Sequence, residues 1–189
     1  FRARYPGVHI KLLNSSTPAA IEELNKGLAD LAFVTTPADI TQKLRSTPLA
    51  DVQEVAVCGG AYRSLTGCKV TLEALSGYPL ISLGEHGSTY RLYRQFFADH
   101  HVPFEPDIEA ATADQILPMV KANLGIGFVP ATFLSEADWG QSIYPIDLVQ
   151  KLPPRKVCLV ESAQYSAAAA AKELKKICFA HSAAVDLFP

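Results

Sequence analysis

Three short hydroxyl-bearing segments, Ser15-Ser16-Thr17, Thr35-Thr36 and Gly87-Ser88-Thr89, each follow an apolar run of strand length, and two of them directly precede a helical pattern. The first N–H groups of a helix have no partner inside the helix, and the aligned peptide dipoles put partial positive charge there. With hydroxyls alongside, such a point accepts a carboxylate or phosphate without a charged side chain. The chemistry indicated is recognition of a small polar or acidic molecule, with plain helix capping by Thr17 or Ser88 as the alternative at each loop taken singly. Ligands of open α/β sheets gather outside the C-terminal ends of the strands, where these loops are expected to lie. The run from Leu124 through Gly125, Ile126, Gly127, Phe128 and Val129 to Pro130 ends one apolar-periodic helix and begins a strand. Gly125 is expected to take the left-handed conformation that closes the helix, while Ile126 and Phe128 give the site an apolar wall.

Signals for catalysis are poor. The Walker phosphate loop, the G-x-G-x-x-G fingerprint, the G-x-S-x-G elbow and the H-E-x-x-H pair are all missing. Of the dispersed histidines only His86 falls in a candidate loop. Asp114, at a helix start beside Thr112, is placed either to orient a ligand amine or to serve as an ordinary helix-end carboxylate. Arg91 and Arg94 face an anion or solvent, and Tyr90, Tyr93, Phe96 and Phe97 read as core. Cys58, Cys68, Cys158 and Cys178 have neither C-x-x-C spacing nor a histidine at zinc-site distance, and are expected to be buried free thiols. No catalytic residue, metal or cofactor is expected.

The elements that must position the loops follow from periodicity. Val8, Ile10, Leu12 and Leu13 suggest a strand, followed by a helix capped at Thr17 with Ile21, Leu24 and Leu28 on its buried face and a second strand at 31–34. Such a β-α-β unit pairs its strands in parallel. Further strands are expected at 52–58, 80–83, 107–111, 143–148 and 157–160, and helices at 71–75, around Tyr90 to Phe97 with Ser88 or Thr89 as cap, at 135–139 and at 167–180. Thr112-x-x-Gln115 fits a capping box ahead of a helix carrying Ile116, Val120 and Leu124, in which Pro118 is expected to cost one backbone hydrogen bond. Alternating strands and helices argue for the α/β class.

At 189 residues and 49% apolar composition the chain can bury a core as one domain or two small lobes. Its net charge of -2, with Lys and Arg scattered, leaves no basic stripe for nucleic acid. Nothing approaches the run of about 20 apolar residues needed to span a bilayer. A soluble, cytoplasmic protein without membrane partners is expected.

Phe1-x-x-x-Tyr5-Pro6-Gly7-Val8, Leu24-x-x-Gly27-Leu28-Ala29-Asp30-Leu31-Ala32, Pro79-Leu80-Ile81, Gly87-Ser88-Thr89 and the 124–130 run occur in that order. The ordered set resembles the effector-binding domain of LysR-type transcriptional regulators, over essentially all of the chain up to about His181. The resemblance implies a two-lobed, periplasmic-binding-protein-like (type II) α/β fold with two crossover strands. Lobe one would comprise 1–60 and 162–189, and lobe two 61–161. It further implies that the family's domain begins with a strand and part of a helix upstream of Phe1, and that promoter DNA is bound through a domain absent from this chain. Carried over by position, the effector contacts would be Ser15, Ser16, Thr35, Gly87, Ser88, Thr89, Thr112, Asp114 and Phe128, lining an interlobe cleft for a small anionic metabolite. The implied protein controls DNA binding and transcription as a homodimer or homotetramer. Cys58 and Cys68 precede the position of the cysteine pair in peroxide-sensing members, so redox sensing is not implied. The alternative is a solute-binding protein of a transport system with the same fold, against which four cysteines without evident pairing lean; an enzyme on that fold is a third reading.

Overall fold

The computed structural model describes residues 1–134, 140–164 and 167–185, the last five by backbone alone. In chain order, α1 (Thr17–Asn25), β1 (Ala32–Thr35) and β2 (Leu44–Val52) come first. Then follow β3 (Glu54–Cys58), β4 (Lys69–Val70), α2 (Leu72–Leu75), β5 (Leu80–Leu83), α3 (Ser88–Asp99), β6 (Ile108–Ala110), α4 (Ile116–Lys121), β7 (Ile126–Pro130) and β8 (Tyr144–Leu148). The chain closes with β9 (Arg155–Ser162) and α5 (Ala169–Val185). It divides into unit 1, Phe1–Asp51 and the chain from Lys156 onward, and unit 2, Val52–Arg155.

Unit 2 is built on a six-stranded mixed sheet in the order β4-β8-β3-β7-β5-β6. Strand side chains alternate between faces, so neighbours in sequence enter different cores. Leu80, Ala56 and Phe128 join the cluster with Tyr93 and Phe97 of α3. Ile81, Val57 and Val129 join the one with Ile116 and Val120 of α4. With both faces covered, β3, β5 and β7 read as continuous apolar runs. β5 pairs in parallel with both β6 and β7. The loops after these three strands therefore share one sheet edge.

Several local expectations hold. Tyr93, Phe96 and Phe97 are core residues, with Tyr90 half-buried. The capping box forms: Gln115 Oε1 accepts from the N–H of Ala111 (2.9 Å) and of Thr112 (3.3 Å). Pro118 is the third residue of α4, which continues directly from the helical turn Ala113–Gln115, so, as expected, it has no N–H to give to the Asp114 carbonyl one turn back. Others are corrected. Gly125 is not left-handed; Asn123, at φ 60°, takes that conformation after α4. Gly125 is required for a different reason, since a Cβ there would stand 2.6 Å from the Pro79 carbonyl oxygen. The cap of α3 is Gly87, neither Ser88 nor Thr89, because the chain is still extended at Gly87 (ψ 149°) and already helical at Ser88. Likewise Ser16 caps α1, with Thr17 as its first residue.

Unit 1 departs most from expectation. No strand forms at 8–13, and β1 pairs antiparallel with β9, Ala32 opposite Val160, in a sheet ordered β1-β9-β2. An apolar alternation specifies a strand only where a partner edge and a covering layer exist; here Leu12 is 90% exposed and Ile10 and Leu13 are also open. Leu28 leaves the buried face because α1 stops early. Gly27 at φ 70° closes it, with Gly27 N–H to Leu24 O (3.1 Å) and Leu28 N–H to Glu23 O (2.9 Å), a paired C-terminal motif that needs glycine's left-handed freedom. The helix expected at 135–139 lies outside the described residues.

Gly127 sits in β7 with no room for a side chain: a Cβ would meet Ile116 Cγ2 at 2.4 Å and Val120 Cγ2 at 3.1 Å. Gly127→Ala is expected to lower stability by about 1–3 kcal/mol in urea titrations. Gly60→Ala, where nothing lies within 4 Å, is expected to stay within about 0.5 kcal/mol of wild type.

Candidate functional site

At the C-terminal end of β5 the apolar run gives way to Gly84-Glu85-His86-Gly87, a tight turn closed by Gly87 N–H to Gly84 O at 2.8 Å. α3 starts at once with Ser88 and Thr89. Ser88 is only 4% exposed although it is the first helical residue. The first-turn N–H groups add their partial positive charge at the same point.

Thr89 is held from behind. Arg155 Nη2 donates to Thr89 Oγ1 at 2.9 Å, and Arg155 Nη1 donates to Glu54 Oε1 at 2.6 Å. The second carboxylate oxygen of Glu54 accepts from the Tyr93 hydroxyl at 3.0 Å. Thr89 and Tyr93 are four residues apart and lie on one face of α3, so a single helix face meets both ends of the ion pair. Arg155 and Glu54 are both buried. Burial pushes the Tyr93 phenol well above its ordinary value, and the Glu54 charge pushes it further. Tyr93 therefore stays protonated and donates. Because Glu54 balances Arg155, the network puts no net charge behind the helix start.

The other expected residues divide by unit. Thr112 and Asp114 follow β6, and the parallel β5–β6 pairing places their loop at the same sheet edge as Gly87, Ser88 and Thr89. Thr112 is half-buried and Asp114 exposed. Phe128 is in the core, its ring stacked on Tyr93 at 4.7 Å between centroids. In unit 1, Ser15 is half-buried, Ser16 caps α1 and Thr35 ends β1 opposite Val157. His86 turns its ring to solvent, and its carbonyl accepts from Arg91 Nη1 at 3.3 Å.

Sequence reasoning missed Glu54, Arg155 and Ser82. The one available signal for Glu54 was a charged residue at the head of the otherwise apolar run Val55-Ala56-Val57-Cys58. Arg155 lies 101 residues further on, and no spacing rule connects the two. Ser82 Oγ, buried in β5, has no hydrogen-bond partner among the described residues.

The four cysteines are free thiols, but Cys68 is exposed and Cys178 only half-buried, correcting the expectation that all are buried; Cys68 lies at a turn open to solvent. Burial pushes the Cys58 thiol up to about 11. No group of three or more His, Cys, Asp or Glu side chains suited to a metal ion occurs among the described residues. No helix of the described residues is long and apolar enough to cross a membrane.

Comparison with known proteins adds an independent line. The model of the LysR substrate binding domain matches residues 1–183. The HTH-type transcriptional regulator CysB of Burkholderia cenocepacia is 29% identical over 147 residues, 77% of this chain and 47% of that protein. The chain spans less than half the length of the curated relatives it matches. Among solved structures, the regulatory domain of Synechocystis CcmR in complex with 2-PG superposes with a TM-score of 0.83 at 15% identity, covering 96% of this chain and 86% of that one. The effector-binding domain of QuiR in complex with shikimate gives 0.74 at 14% identity, covering 89% and 78%. These structures share the fold.

Two measurements test the site's physical description. Arg155→Met is expected to cost about 3–5 kcal/mol by leaving Glu54 buried and unpaired, while Glu54→Gln with Arg155→Met is expected to restore most of that stability in denaturant titration. Iodoacetamide at neutral pH is expected to label Cys68 well before Cys58, read by peptide mass spectrometry, because burial and the raised pKa keep Cys58 a protected thiol.

Proposed function

The chain belongs to the LysR substrate binding domain family, with its periplasmic-binding-protein-like type II fold, and from that premise we propose that it senses a small anionic metabolite and thereby controls DNA binding. The observation that carries this reading is the start of α3, where Ser88 and Thr89 stand beside free backbone N–H groups and share a sheet edge with Thr112 and Asp114. An anion suits this point because the helix dipole supplies positive potential there, while Glu54 already answers Arg155.

In this proposal Gly87 lets the backbone approach the ligand, Ser88 and Thr89 give hydroxyl contacts, and Thr112 and Asp114 border the site. Phe128 acts by backing Tyr93. DNA is bound by a further domain of a longer protein, and the regulator works as a homo-oligomer in the cytoplasm. That the curated relatives are transcriptional regulators supports this reading over a transport or enzymatic role.

A thermal-shift screen against small carboxylates, phosphates and sulfates tests the proposal. A ligand at 100 times its Kd is expected to stabilise the chain by about 2.7 kcal/mol. Ser88→Ala with Thr89→Ala is expected to weaken binding of the best hit at least tenfold, with the unliganded fold retained. Unchanged affinity in calorimetry overturns the site.

A further inference from the structure

We propose that Arg155 is a positioning residue that occupies one lone pair of Thr89 and turns its hydroxyl hydrogen toward the site, so that Thr89 donates to effectors presenting an oxygen acceptor; this rests on the reading of the α3 start as the effector site. A threonine hydroxyl has one hydrogen to give and two lone pairs to accept with. A guanidinium only donates. With Nη2 2.9 Å from Thr89 Oγ1, one lone pair is committed and the hydroxyl hydrogen must point elsewhere.

Its usual outlet in a helix is a carbonyl three or four residues back. For Thr89 those are His86 and Glu85, and Thr89 donates to neither in this structure, while the His86 carbonyl already accepts from Arg91. The hydrogen therefore remains for a ligand. Accepting a charge-assisted bond also polarises the hydroxyl and strengthens what it donates.

Arg155 is not itself the ligand contact. Its other arm is tied to Glu54 at 2.6 Å in a buried pair, and Glu54 is tied in turn to Tyr93 at 3.0 Å. Swinging the guanidinium out would strand a buried carboxylate. The charge is thus spent on orientation rather than on attracting the anion. A second observation comes from the strand that leads to α3: the buried Ser82 hydroxyl has no hydrogen-bond partner among the described residues. By strand alternation it lies on the side of β5 that carries Leu80, the side that packs against α3.

A double-mutant cycle with inorganic sulfate, which offers acceptors and no donor hydrogen, tests this by calorimetry at neutral pH. In the native Arg155 background, Thr89→Val is expected to weaken sulfate binding about tenfold, the scale of a hydrogen bond to a charged group, and Thr89→Ser to restore it. In the background carrying both Glu54→Gln and Arg155→Met, where the introduced amide oxygen still accepts from Tyr93, the same Thr89→Val change is expected to cost less than about twofold. Arg155→Lys, which keeps a charge beside Glu54 but gives up the second arm, provides the same comparison if the neutral pair does not fold. An equal loss in all backgrounds overturns the positioning role and leaves the site standing. If Ser88→Ala and Thr89→Val both bind sulfate as tightly as wild type, or wild type binds none, the effector-site reading fails and the role of Arg155 with it.

Discussion

The buried ion pair between Glu54 and Arg155 is the constraint around which unit 2 is arranged. Taking two charges out of water is costly, and their attraction offsets the cost only when the remaining polar atoms are also satisfied. Tyr93 and Thr89 meet that need, and both come from one face of α3. The pair therefore fixes the rotation of α3 about its axis as well as the spacing of the first residues of β3 and β9. Those residues lie close to the two points where the chain enters and leaves unit 2. A ligand held at the start of α3 would act on the same hydrogen-bonded set that holds these strand ends together.

The rest of unit 2 serves that arrangement. Parallel pairing of β5 with β6 and β7 brings three strand-end loops to one edge. Gly125 and Gly127 let chain segments approach where a Cβ would collide, with Pro79 in one case and with Ile116 in the other. Phe128 stacks on Tyr93 and so backs the phenol that donates to Glu54. The aromatic residue assigned to an apolar wall from sequence is thus linked to Thr89 through Tyr93, Glu54 and Arg155, in the packing that keeps the network in register.

Legibility from sequence differed by kind of interaction. The Thr112-Gln115 capping box and the apolar strands of unit 2 depend on neighbours within a few residues or on period-two burial, and these were readable. Where the same local pattern needed a distant partner it misled: the alternation at 8–13 has no strand beside it, and β1 takes an antiparallel neighbour from the far end of the chain. Gly125 shows a subtler failure. The residue type was rightly singled out, but the close approach of Pro79, rather than backbone handedness, is what demands it.

Apolar periodicity and turn residues were enough, without coordinates, to indicate the α/β class, because they record local conformation and burial along the chain, and the ordered landmarks from Phe1 to Pro130 carried the resemblance to the family. What only the tertiary structure decided is which polar groups meet. Glu54 and Arg155 are 101 residues apart, and their pairing, with Thr89 and Tyr93 between α3 and the sheet, depends on strand order and on how deeply the chain buries two charges. No one-dimensional spacing encodes that, since hydrogen bonds across a sheet and a helix follow distance in space.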